Sequence, residues 1–89
     1  MEFKIGDRVL VKKELLKRAI ETQWRTSIGY DSPMNKKDWQ LAEANNFIFI
    51  IKSQLNRQGF YKVSGSDGRP VLPDLWPDNL LMPIFNSLE

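Results

Sequence analysis

The amino-acid sequence predicts a mainly β domain, a small barrel or sandwich with one helix inserted between its first two strands. Three observations predict it: short stretches with a period of two, tight-turn residues between them, and one stretch whose apolar residues recur every fourth position. Short strands joined by tight turns are typical of small barrels and sandwiches. Because 89 residues allow one modest core, we expect a single domain over residues 1–89, with 84–89 as an acidic tail.

The first strand and the helix follow each other directly. Val9 and Val11 alternate with their neighbours after a glycine-aspartate turn, which predicts a strand over residues 8–12. The spacing then changes to that of an amphipathic helix, which we predict over residues 13–24. The apolar residues of this helix are Leu15, Leu16, Ala19, Ile20 and Trp24.

The middle of the chain predicts a loop, a short helical turn and a strand. Turn-forming residues fill "TSIGYDSPMNKKD", and Asp38 is expected to cap a helical turn that carries Trp39. The run Phe47 to Ile51 is apolar on both faces, which a strand tolerates only when both faces are covered. One face should meet the core. The apolar stripe of the helix should cover the other, with a partner protein as the alternative.

The last third of the chain contains two strands and a closing corner. "FYKVSG" alternates as a strand does, and "SGSDGRP" turns the chain. In "DLWPDNLLMP" a strand carrying Trp76 ends at Pro77, whose ring fixes φ and which has no N–H to leave unpaired. We therefore predict a turn at Pro77-Asp78-Asn79, a short closing strand over Leu80 to Pro83, and a buried Trp76.

Three stretches resemble SH3-like small barrels of about five strands: "IGDRVLVK", "GFYKVSG" and "LWPDNLLMP". Together with "GYDSPM", they are similar to the repeat module of mind-bomb-type ubiquitin ligases and to small bacteriophage and bacterial barrel proteins. Gly29, Tyr30 and Met34 are the matching positions, whereas Asn45-Asn46 stands where such modules commonly have glycine. The resemblance implies an SH3-like barrel with an inserted helix.

The composition argues against catalysis. The chain has no histidine and no cysteine, which removes the commonest general base, thiolate metal sites and disulfides. Asp7, Asp31, Asp67, Asp74 and Asp78 all stand in turn contexts, where aspartate usually accepts backbone hydrogen bonds. We therefore expect no enzyme, no cofactor and no metal. Charged residues from the second position onward leave no signal peptide or membrane span to be read there, and the absence of cysteine favours a reducing cytoplasm.

Binding remains as the expected function, and two kinds of partner stay open. The net charge is only +2, with 13 basic and 8 acidic residues in 1–72 and 3 acidic residues in 73–89. A protein-interaction module, in its phage-type form a small factor that binds a host protein and alters its activity, is the favoured hypothesis. The alternative is an RNA or DNA binder that uses basic loops and aromatic stacking. The candidate contact residues are Arg25, Tyr30, Lys36, Lys37, Trp39 and Tyr61.

Overall fold

A computed structural model describes residues 3–21, 35–57 and 59–84 of the chain. In chain order the elements are β1 (Arg8–Val11), α1 (Lys13–Glu21), α2 (Lys36–Ala44), β2 (Ile48–Ile51), β3 (Phe60–Gly65), β4 (Pro70–Pro77), a 3₁₀ turn (Asp78–Leu80) and β5 (Leu81–Pro83). The mainly β prediction is confirmed at this level. Among the described residues, both α1 and α2 lie between β1 and β2, where the sequence predicts one helix and a short helical turn.

The five strands form one antiparallel sheet in the order β4-β3-β2-β1-β5. Within the described residues no ladder joins β4 to β5, so the closed barrel that the sequence predicts is wrong in this respect. Prolines remove several donors from the two edge strands. Pro70, Pro73 and Pro77 in β4 and Pro83 in β5 have no N–H, and the Leu81 N–H donates to the Asp78 carbonyl. Prolines are typical of edge strands, where a missing donor costs no ladder hydrogen bond.

Phe3 is part of the hydrophobic core. Its ring lies 5.3 Å from the Tyr61 ring, and its backbone N–H donates to the Tyr61 hydroxyl at 2.8 Å. Phe3 also lines two hollows beside β5, together with Pro83. A residue ahead of the first strand therefore belongs to the core.

The core lies on the face of the sheet that Val9, Phe49 and Tyr61 share. Trp76 is fully buried there, 5.0 Å from the Phe49 ring, and its Nε1–H donates to the Pro73 carbonyl at 3.0 Å. The predicted burial of Trp76 is confirmed. The predicted turn after it is also confirmed, because the chain makes a single 3₁₀ turn and returns as β5 beside β1.

Helix α1 matches its prediction from Lys13 to Glu21, and the predicted residues 22–24 lie outside the described residues. Its position differs from the prediction. Leu16 is fully buried in the same cluster as Phe49 and Ile51, on the core side of the sheet, while Ile48 and Ile50 stay half-exposed on the opposite face. The helix therefore does not cover the second face of β2. Its helical neighbour is α2.

Helix α2 begins at a capping box. Asn35 is the N-cap, and its side chain accepts the Lys37 N–H at 2.8 Å, while the Asp38 carboxylate accepts the Asn35 N–H at 2.8 Å. The predicted cap at Asp38 is therefore three residues too late. Asn35 is the N-cap, and Asp38 is the other member of the capping box. Asn46 and Phe47 follow the helix with φ of 57° and 59°, so β2 begins at Ile48 rather than at Phe47.

Candidate functional site

A groove of about 440 Å³ runs between the two helices. Its lining comes from one face of each helix, since residues three and four apart lie on the same side. The lining residues are Lys17, Ile20 and Glu21 from α1 and Lys36, Trp39, Gln40 and Glu43 from α2. The groove combines an apolar floor with a rim of charged and polar groups.

Trp39 and Ile20 form the floor. Both side chains are half-buried and pack against the hydrophobic core. The Trp39 ring meets the Phe47 ring edge-on, with centroids 5.1 Å apart and an interplanar angle of 70°. Phe47 is held in turn by the Lys13 ammonium, 4.5 Å from its ring centroid, and by its N–H, which donates to the Ala42 carbonyl at 2.7 Å. Trp39 is thus a rigidly supported aromatic ring with part of its surface open.

Four charged side chains stand around this floor: Lys17, Glu21, Lys36 and Glu43. All four are exposed, and none of them forms an ion pair with another described residue. Elsewhere among the described residues, Lys62 pairs with Asp74 at 4.0 Å and Arg69 pairs with Asp67 at 3.6 Å. Neither pair lines the groove. The rim therefore carries two positive and two negative charges, all exposed to solvent.

Asp38 lies under the start of α2 and is the buried carboxyl group of the described residues. Burial raises the pKa of Asp38 above its usual range, and the hydrogen bond from the Asn35 backbone N–H opposes part of that rise. The carboxylate is committed to the capping box, so its role is structural.

The predicted contact residues have different positions. Lys36 and Trp39 line the groove together, whereas Lys37 is exposed next to it and its backbone belongs to the Asn35 cap. Tyr61 is a correction. Its ring is fully buried in β3 and its hydroxyl accepts the Phe3 N–H, so it offers no surface for stacking. Arg25 and Tyr30 lie outside the described residues.

Sequence reasoning missed most of the groove. Lys17 belongs to a basic run that reads as an ordinary solvated face, and Glu21, Gln40 and Glu43 carry no individual signal. Ile20 was expected to cover β2. The i, i+3, i+4 spacing was visible on both helices, but only the packing of α1 beside α2 turns two faces into one site.

Among residues 3–21, 35–57 and 59–84, no three acidic side chains come together in a way that could hold a metal ion. Asp7 and Asp67 accept backbone N–H groups at 2.8 and 3.0 Å, so the predicted turn roles of these two are confirmed. None of the described helices combines the length and apolar character that crossing a bilayer requires.

Comparisons of the chain with protein-family models, with curated proteins and with solved structures found no match.

Proposed function

We propose that this chain is a non-enzymatic protein-interaction module whose contact surface is the groove between α1 and α2. The observation that carries the proposal is Trp39: a half-exposed tryptophan supported edge-on by Phe47, between unpaired charges of both signs. Tryptophan is enriched among the residues that dominate binding energy at protein interfaces. A fixed ring also loses less conformational entropy on binding than a mobile one.

The occupant that fits such a groove is a protein segment with an apolar anchor flanked by charges. The anchor would displace water from Ile20 and Trp39, and the flanking charges would pair with the rim. The rim contributes specificity and association rate more than affinity, because its side chains are exposed to solvent.

Nucleic acid is the second candidate, and one observation favours it: Lys17 and Lys36 flank a half-exposed aromatic ring. Glu21 and Glu43 line the same groove and would repel a phosphate backbone. Binders of nucleic acid gain most of their affinity from neutralising phosphates with an excess of basic groups. The balanced rim therefore favours protein.

Three finer parts of the proposal rest on the sequence. The likeness of "IGDRVLVK", "GFYKVSG" and "LWPDNLLMP" to SH3-like small barrels makes an opened member of that group the proposed fold type. The likeness to small bacteriophage barrel proteins extends the proposal to a phage-type factor that binds a host protein and modulates or inhibits it. The cysteine-free composition makes a reducing cytoplasm the proposed compartment.

A displayed library of random peptides of about 16 residues tests the proposal, with selection on the wild-type protein alone and the affinity of the enriched peptides then measured for the wild type and for Trp39→Ala. Enriched peptides should bind the wild type at least roughly 30-fold more tightly than Trp39→Ala, which is the effect of losing a hot-spot side chain. Leu72→Ala is the matched control, because Leu72 is an exposed apolar residue of β4 outside the groove. Peptides that bind both Trp39→Ala and wild type equally would contradict the proposal.

Labelled single- and double-stranded oligonucleotides form the second arm of the test. We expect no more than weak, salt-sensitive binding at about 150 mM salt. Submicromolar binding that is abolished by replacing Lys36 and Lys37 with alanine would favour the nucleic-acid candidate instead. Replacement of Lys52, an exposed lysine outside the groove, provides the control.

A further inference from the structure

We propose that the groove between α1 and α2 binds a second copy of this chain, so that the helix faces of two molecules pack about a two-fold axis. This inference rests on the proposed function, since it names an occupant for the same groove. In a two-fold dimer one surface patch meets itself, so the patch must be complementary to its own rotated image.

The charges of the rim meet that condition. Each helix contributes one lysine and one glutamate, and on each helix the lysine precedes the glutamate: Lys17 then Glu21, and Lys36 then Glu43. A two-fold axis that runs across the helices packs each helix antiparallel on its own copy, which brings Lys17 towards Glu21 and Lys36 towards Glu43 of the second molecule. The two-fold axis repeats both pairs. A rim of one sign would repel itself, whereas this rim opposes unlike charges at every corner.

The floor supplies the apolar centre of the same contact. Trp39 and Ile20 are half-buried within one molecule, and a second copy would cover their remaining surface. When the floors of two molecules meet in this way, Trp39 and Ile20 from each molecule lie inside a ring of charged pairs. A dry centre with a polar rim is the usual anatomy of a specific interface.

The size of the patch sets the strength of the contact. Each helix has nine residues and is therefore about 13 Å long. Two such helices present a face well below the roughly 800 Å² per partner of a standard interface. The dimer should thus be weak and transient, and self-association should be sought at high protein concentration.

A charge-swap experiment on the full chain tests the proposal by sedimentation equilibrium, from about 10 μM to about 1 mM protein. One variant carries Lys17→Glu with Lys36→Glu, and the other carries Glu21→Lys with Glu43→Lys. All four side chains are exposed, so both variants should fold, which circular dichroism checks. Each variant alone should lose self-association by at least about tenfold, because its rim carries four like charges.

The equimolar mixture of the two variants supplies the decisive result. It should form a 1:1 heterodimer that is tighter than either homodimer, because an acidic rim then meets a basic one. Lys4→Glu with Lys52→Glu is the matched control, since these exposed lysines lie outside the groove and the net charge changes by the same amount. This control variant should self-associate as the wild type does. Added salt should weaken the wild-type dimer.

Three outcomes would overturn the inference: a wild-type chain that stays monomeric over the whole range, charge-swap variants that associate as the wild type does, or a mixture with no heterodimer. Peptide selection separates this failure from that of the proposed function. A monomeric chain whose selected peptides still depend on Trp39 overturns only the second-copy inference. A monomeric chain without such peptides overturns both.

Discussion

Replacing Phe3 with alanine should destabilise the domain far more than the position of Phe3 near the chain start suggests. Phe3 is 8% exposed, its ring packs on Tyr61, and it lines the hollows beside β5. The ring is therefore a member of the hydrophobic core, and its removal leaves a cavity next to Tyr61.

The magnitude follows from the buried ring and its hydrogen bond. Truncation of a buried phenylalanine to alanine costs about 3–5 kcal/mol. A domain of this length has a free energy of unfolding of roughly 4–13 kcal/mol, so the variant should lose a large part of its stability. Tyr61→Phe should cost about 1–3 kcal/mol by a separate route, because it leaves the Phe3 N–H without its acceptor.

Urea unfolding followed by circular dichroism measures both effects. Ile5→Ala is the matched control, since Ile5 lies two residues further along and is 62% exposed, and it should change the free energy of unfolding by less than about 0.5 kcal/mol. The reasoning would be refuted if Phe3→Ala unfolded at the same urea concentration as the wild type. In that case the Phe3 ring would not contribute to the core.

Further predictions concern the buried tryptophan, helix α1 and the capping box. Trp76→Ala should lower the free energy of unfolding by about 3–5 kcal/mol in the same urea assay, and a wild-type midpoint would contradict its core role. Leu16→Ala should cost about 2–5 kcal/mol and Ile20→Ala clearly less, because Leu16 is fully buried and Ile20 only half-buried; equal losses would show that the groove floor is core. For Asp38, whose pKa burial raises, the folded state binds a proton more readily than the unfolded state does, so its contribution to stability should fall as pH rises through the folded pKa. Unfolding of wild type and Asp38→Asn across acidic pH should therefore show the wild type losing stability relative to the variant as pH rises, and a constant difference would argue against the burial effect.

The candidate site shows where sequence reasoning succeeds and where it stops. The sequence predicts Trp39 and Lys36 as contacts because an aromatic residue beside a lysine pair in a polar stretch has few partners nearby in sequence, and both residues line the groove. Tyr61 stands in an alternating strand, and alternation alone does not decide which face is inward. Its hydroxyl accepts the N–H of Phe3, which is 58 residues away in the chain. Lys17 and Glu43 become part of one site only because their helices pack together.

The sequence by itself determined the local elements of this protein. Period-two runs gave β1 and β3, period-four spacing gave α1, and Pro77 followed by Asp78-Asn79 gave the turn that ends the Trp76 strand, because these patterns depend on neighbours a few residues apart. Only the tertiary structure decided that the sheet stays open, that α1 packs on the core side of the sheet, and that α1 and α2 form a groove. These features depend on contacts between residues that are distant in the chain. The free energies of such contacts cannot be read from a pattern of neighbouring residues. Prolines at the sheet edges were visible in the sequence, but their effect required knowing which strands lie at the edges.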